Sequence, residues 1–520
     1  MAVQNLTGKP LACPQRPAVY GISWPDHKRL WCQPKGLTQR DDPRRLTMFT
    51  ELIPNPVLRL NGSQSSFVIL RLIVIVLALI ALTVPSFAYS VLTHEEIVDL
   101  LWLDQIRPLL LKRFPGLTDD QIKEAHAYAY GGAVIQDLGY YPFGSKEFSD
   151  LSHYVRTGDF VEELLRESTD VDEYAFALGA LAHYSSDITG HPAVNRSVAI
   201  EYPKLRAKYG NSVTYAEDKT AHLKTEFGFD MVQVAKSRYA PQQYHDFIGF
   251  QVSKPLLERA FPVVYGVQLK DVLTHEDLAI GSYRWAVSRL IPDMTKVALA
   301  THKKDMMREQ PDFAKQKFLY HLRRSDYEKE WGTEYSRPGL GARIVAFFFR
   351  VIPKIGPFKG LAFNNPTAQT EDLYFKSINA TVDQYRIFLR SVGTNSLTLA
   401  NCDLDSGKVT KLAEYSLADS SYAKLLQQLA LRKFDAMTPD LRRNILDFYS
   451  DPPPASATNT DTKHAGKKPK EEKNQTDWKD VHTELDQLKT ANVAAPTAPV
   501  SRDGDSPSVK PASGVCSFGQ

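Results

Sequence analysis

Apolar residues recur at three-to-four spacing through most of the chain from Thr93 onward, the period of helices that bury one face. Thr93-His94-Glu95-Glu96 reads as a capping box, with Thr93 accepting from the Glu96 amide, and opens a helix through IVDLLWLDQIRPLLLKRF. Thr118-Asp119-Asp120-Gln121 is a second box, whose helix runs towards Gly131 or Asp137. Residues 170–184, DVDEYAFALGALAHY, are apolar enough for a central helix. Further helical stretches fall near 214–236, 242–260, 273–308 and 310–331. Alternation at period two is scarce, so the expected fold class is all-α.

The same pattern divides the chain. Residues 1–66 are rich in Pro, Arg and polar side chains, show no sustained periodicity, and read as a disordered leader extension. Residues 67–88 contain LIVIVLALIALTV, preceded by Arg59 and Arg71 and followed by Ser86-Phe87-Ala88. A basic flank, a short apolar run and small residues at −3 and −1 describe an export signal cut after Ala88. The other reading is an uncleaved membrane anchor, which reaches spanning length only by burying Arg71. Translation from Met48 would leave a leader of more usual length. Residues 89–332 form the main helical domain, and 333–450 a helical extension that opens on the loop-like GTEYSRPGLGAR.

Within that extension the stretch 345–364 is apolar but carries Arg350, Lys354 and Lys359. It reads equally as a segment docking on a lipid surface or as a buried helix broken by Pro353 and Pro357. Residues 451–520 are dominated by Pro, Ala, Ser and Lys, too polar to offset the entropy of ordering, and read as a disordered tail.

Composition narrows the chemistry. With 43% hydrophobic and 24% charged residues, the chain has an ordinary globular balance, and its formal net charge of +3 offers no electrostatic case for nucleic acid. Cys13, Cys32, Cys402 and Cys516 are far apart and none lies in a CxxC pair, which argues against a disulfide scaffold and a cysteine-zinc module. A metal held here must therefore sit on histidine and carboxylate.

Such side chains are concentrated between His94 and Glu226. His183 and Asp187 are four apart and share a helix face, the spacing that lets two side chains grip one ion. His191 follows four further on, although Gly190 and Pro192 suggest that the helix ends there and that His191 points elsewhere, towards a second ion. His222 and Glu226 form another such pair. Upstream lie His94 at a helix start, Asp137 after a Gly-Gly break, and His153. Each alone has a plainer explanation: a hydrogen-bonded core histidine, a helix cap at Asp187, a solvated His222–Glu226 pair. Their order and density favour a metal site over these. His27, His245, His275, His302, His321, His464 and His482 lack comparable neighbours in sequence, and His126 is set aside for the same reason.

The ordered set His94, Asp137, His153, His183-x-x-x-Asp187, His191, His222-x-x-x-Glu226 resembles the zinc-dependent phospholipase C family, over roughly residues 89–300. The His-x-x-x-Asp-x-x-x-His run and the THEEI entry look closest to its glycosylphosphatidylinositol phospholipase D branch, with fungal single-strand nucleases as relatives. The resemblance implies an all-α, multi-helix phospholipase C/nuclease-like domain holding three Zn2+ ions. Asp137, His153, His183 and Asp187 would hold the first, and His191, His222 and Glu226 the second. His94 and Asp187 would hold the third, with the amino group and carbonyl of a mature first residue, Tyr89. It further implies hydrolysis of a phosphodiester with Asp137 as the catalytic carboxylate, a phospholipid substrate, a membrane surface as partner, and an exported protein. A single-strand nuclease and a non-catalytic, metal-stabilised lipid-binding protein are the alternatives. No Ser/His/Asp triad, phosphate-cradling glycine loop or HExxH motif competes.

Overall fold

The computed structural model describes residues 91–236, 238–296, 298–299, 363–450, 478–491 and 516. The expectations for residues 1–66 and 67–88, for Tyr89 and for the stretches 310–331 and 345–362 lie outside these. The described part is all-α apart from one small hairpin. Its helices are α1 (Val91–Leu101), α2 (Arg107–Arg113), α3 (Asp119–Ala133), α4 (Lys146–Tyr154), α5 (Thr157–Glu167) and α6 (Val171–Glu201). They continue with α7 (Pro203–Tyr209), α8 (Lys219–Ala235), α9 (Gln242–Ile248), α10 (Lys254–Tyr265), α11 (Leu269–Val272) and α12 (Glu276–Trp285). Beyond residue 362 come α13 (Ala368–Gly393), α14 (Ser416–Leu431), α15 (Pro439–Phe448) and α16 (Trp478–Thr490). Strands β1 (Cys402–Asp403) and β2 (Lys408–Val409) pair antiparallel, Cys402 opposite Val409 and Asp403 opposite Lys408.

The long helix α6 is the axis of the fold. Asp170 caps it, accepting from the Glu173 amide at 2.9 Å. From Tyr174 to Ile188 every residue is buried, so the helix is covered on all sides rather than on one stripe. Helix α3 lies against it at close range through small residues. A methyl group at Gly132 would stand 1.9 Å from the Phe176 carbonyl oxygen, and one at Gly179 2.1 Å from that of Ala129. The Gly131-Gly132 pair is therefore no helix break, as the sequence suggested; it lies inside α3, where the missing side chains admit a neighbouring backbone. The box at Thr118 forms as expected, with Gln121 reciprocating.

Two other local expectations fail for tertiary reasons. The helix that carries His183 runs through Gly190 and Pro192 to Glu201. Proline removes the donor that would have reached the Ile188 carbonyl, and Gly407 of the hairpin packs against that oxygen. Gly407 adopts φ +67°, and a methyl group there would lie 2.4 Å from the Ile188 oxygen. The box at Thr93 is also absent. Thr93 lies within α1, and its hydroxyl donates to Asp230 at 2.6 Å while the Leu92 amide donates to the other oxygen of Asp230 at 3.1 Å. The Glu96 carboxylate is taken by the Ala240 amide at 3.1 Å. A carboxylate from α8 thus serves the first turn of α1 in place of its own side chains.

One apolar core runs through residues of 91–291 and of 374–448 alike, so the extension is part of the same packed body. Helix α13 lies along α6, and its buried Tyr385 donates to the Leu178 carbonyl at 2.8 Å. The tail read as disordered contains α16. Val481, Leu485 and Leu488 are buried at helical spacing, a stripe hidden by the polar composition around it. Cys516 forms a disulfide with Cys402, a bond that the cysteine spacing gave no reason to expect. Among the described residues no helix is long and apolar enough to cross a membrane.

Candidate metal centre

Helix periodicity delivers most of the site. Helix α6 presents His183, Asp187 and His191 in successive turns, and α8 presents His222 and Glu226. Asp137 comes from a 3-10 turn, Ile135–Tyr140, that follows α3; His153 comes from α4 and His94 from α1. All eight side chains are buried, and none is more than 1% exposed.

Asp187 stands at the centre. Its Oδ2 lies 2.9 Å from His183 Nε2 and 3.5 Å from His153 Nε2. Its Oδ1 lies 3.6 Å from His94 Nε2 and 3.8 Å from His191 Nε2. Asp137 Oδ1 faces His153 Nε2 at 3.3 Å, while Glu226 Oε1 faces His222 Nε2 at 2.8 Å and His191 Nε2 at 3.6 Å. Three groups result whose possible ligand atoms lie within 4.8 Å of one another: His94 with His183 and Asp187; Asp137 with His153 and His183; His191 with His222 and Glu226. Tyr89 lies outside the described residues, so its amino group is not part of this geometry.

The donor set fits zinc, which takes imidazole nitrogen and carboxylate oxygen in small coordination numbers. Two observations bear this out. Both oxygens of Asp137, Asp187 and Glu226 are buried with no aligned hydrogen-bond donor, a costly arrangement unless cations face them. The imidazoles are also turned for coordination. Nδ1 of His183 meets the Ala133 carbonyl at 2.9 Å and Nδ1 of His153 meets that of Ser149 at 2.8 Å. A proton on Nδ1 makes these bonds and leaves an Nε2 lone pair pointing inward.

Electrostatics follow the same geometry. Burial, with His183 beside it, holds the His94 imidazole well below its ordinary value. Burial and His191 bring His222 down to about 3. Burial pushes the Glu226 carboxyl well above the usual range, while for Asp187 the opposing effect of burial is outweighed by His183 and His191, which hold it well below. His94 and His222 are thus neutral, the form that ligates a cation.

At one edge the centre meets larger side chains. The Tyr140 ring lies 5.9 Å from His153 and the Tyr215 ring 5.7 Å from His222. The exposed Lys219 ammonium stands 5.8 Å and 5.4 Å from these two rings.

The structure also corrects two histidines. His126 pairs with Asp99 at 2.9 Å, and His245 with Glu95 at 2.7 Å, each partner coming from α1 and therefore invisible in local spacing. Two residues that brace segments of the centre escaped the sequence reading. Asp230 lies four residues beyond Glu226 on α8, so the same spacing could have found it. Asp405, 3.2 Å from His191 Nδ1, lies in the hairpin and carries no such signal.

Residues 93–274 match the family model described as zinc dependent phospholipase C. No curated protein and no solved structure matches the chain.

Proposed function

We propose, from the match of residues 93–274 to the zinc dependent phospholipase C family model, that this chain is an exported phosphodiesterase acting on phospholipid through a three-zinc centre. The observation that carries the reading is the buried set of eight ligand-type side chains grouped around Asp187. Asp137, His153, His183 and Asp187 would hold one ion, His191, His222 and Glu226 a second, and His94 with Asp187 a third. Removal of a leader after Ala88 would add the amino group of Tyr89 to the third, making export a condition for a complete site.

Zinc supplies Lewis acidity towards an anionic phosphodiester and makes water a nucleophile near neutral pH. The chain's own residues do the rest. Asp137, with both oxygens free of aligned donors, orients the attacking water and takes its proton. His153 and His183, each fixed by a backbone carbonyl at Nδ1, aim Nε2 into the centre, where it would meet an ion. Lys219 provides positive charge at the Tyr140–Tyr215 edge, where an anionic substrate would approach.

The test uses the chain beginning at Tyr89, assayed for zinc content and for hydrolysis of phosphatidylcholine vesicles and of single-stranded DNA. The expected result is bound zinc, lipid turnover, and loss of both by the double variant H183A/D187A. Zinc with DNA cleavage alone would move the reading to a nuclease, and zinc with neither activity to a binding protein. A folded wild type without zinc would refute the central claim.

A further inference from the structure

The proposed metal ligands all lie within the segment that matches the family model, yet one of them faces a carboxylate far outside it. Asp405 is buried in the turn of the β1–β2 hairpin, and its Oδ1 lies 3.2 Å from His191 Nδ1. His153 and His183 have backbone carbonyls in the corresponding position; His191 has a carboxylate. The other oxygen of Asp405 accepts from the hydroxyls of Tyr154 at 2.8 Å and Tyr415 at 2.5 Å. Its carbonyl accepts from Asn195 Nδ2 at 2.9 Å, and its amide donates to Asp403 Oδ1 at 3.0 Å. A side chain fixed at so many points cannot follow the imidazole; the imidazole must follow it.

The hairpin that carries Asp405 is itself built onto the centre. The Leu404 amide donates to the His153 carbonyl at 3.0 Å, the Cys402 amide donates to Thr157 Oγ1 at 2.9 Å, and Gly407 seats against Ile188, one residue past Asp187. The Tyr154 hydroxyl meets Asp405 from the residue next to His153. The hairpin therefore touches the chain beside three of the proposed ligands.

We propose that Asp405 is a positioning residue for metal binding, which orients His191 by accepting a hydrogen bond from its Nδ1–H and so aims Nε2 at the ion shared with His222 and Glu226. The C-terminal extension thereby completes a centre whose ligands it does not supply. This rests on the zinc reading above. Carboxylates in this role raise the basicity of the imidazole and fix its tautomer, and their loss weakens metal binding about 10–100-fold.

The test compares the wild-type chain beginning at Tyr89 with its D405A and D405N variants. Zinc affinity is measured by competition with a chromophoric chelator, the absorption spectrum after cobalt(II) substitution, and thermal unfolding with and without chelator. D405A is expected to lose affinity for one zinc by about 10–100-fold, to shift the cobalt spectrum, and to lower the unfolding midpoint more with metal than without. D405N should fall between, because its amide oxygen still accepts the imidazole N–H, and it carries the test if D405A does not fold. Unchanged affinity and spectrum in a zinc-binding protein would overturn this inference alone, as would an equal loss of stability with and without metal. A wild type that binds no zinc would overturn both this inference and the reading beneath it.

Discussion

Burial decides the character of single residues here. At the end of α6, Glu201 accepts from Thr225 Oγ1 at 3.2 Å, and desolvation raises its carboxyl from 4.5 to about 7. The folded state then binds more protons than the unfolded chain between those values, so this residue's effect on stability worsens as pH rises from 4.5 to about 7 and levels off above. Replacement by Gln, which removes the charge, should leave stability unchanged near pH 4 and improve it by roughly 1–3 kcal/mol at pH 8, the range reflecting partial solvent access. Denaturant unfolding of wild type and E201Q at matched zinc across that range measures the difference. A difference independent of pH would show that Glu201 does not titrate as its burial implies. The same residue-level logic explains which site residues were legible in advance. His183–Asp187 and His222–Glu226 announce themselves by helix spacing, whereas His126 and His245 find their carboxylates on another helix and showed nothing locally.

At the scale of elements, the deciding contact is between α3 and α6. Gly132 and Gly179 sit where each helix meets the other's backbone carbonyl, so the approach depends on the absence of a Cβ. An added methyl group has only backbone to displace. Gly179→Ala should therefore cost about 1–3 kcal/mol or more despite the better helix propensity of alanine. A lowered denaturant midpoint checks this; a stabilised variant would mean that the helices lie further apart. Because α3 leads into the Asp137 turn and α6 bears three of the proposed ligands, such a variant should also lose zinc. Helix ends were read with mixed success for a physical reason. The Thr118 box is closed by residues three apart and forms, while Thr93 and Pro192 are each overruled by a distant partner, Asp230 and Gly407.

For the molecule as a whole, the extension and tail are bound into the core. The Cys402–Cys516 disulfide closes a separation of 114 residues and ties the tail to the first strand of the hairpin. By the chain-entropy account such a loop contributes about 4–5 kcal/mol. Reduction, or Cys516→Ser, should lower the thermal midpoint clearly and loosen the hairpin against His191. An unchanged midpoint under reductant would show that the tail is held by α16 packing alone. A disulfide here also agrees with the proposed export, since such bonds persist in oxidising compartments.

The sequence alone determined the fold class and the two helical pairs, His183–Asp187 and His222–Glu226, because these depend on side-chain chemistry and on a period of 3.6 residues, both local properties. It also determined the family resemblance, which rests on the order of those ligands along the chain. Only the tertiary structure decided that His191 shares a helix with Asp187, that Asp187 faces four imidazoles, and that Asp230 and Asp405 brace the site. Those outcomes depend on segments separated by up to hundreds of residues. Their meeting is set by the packing of α1, α6, α8, α13 and the hairpin into one core, and no local spacing encodes it.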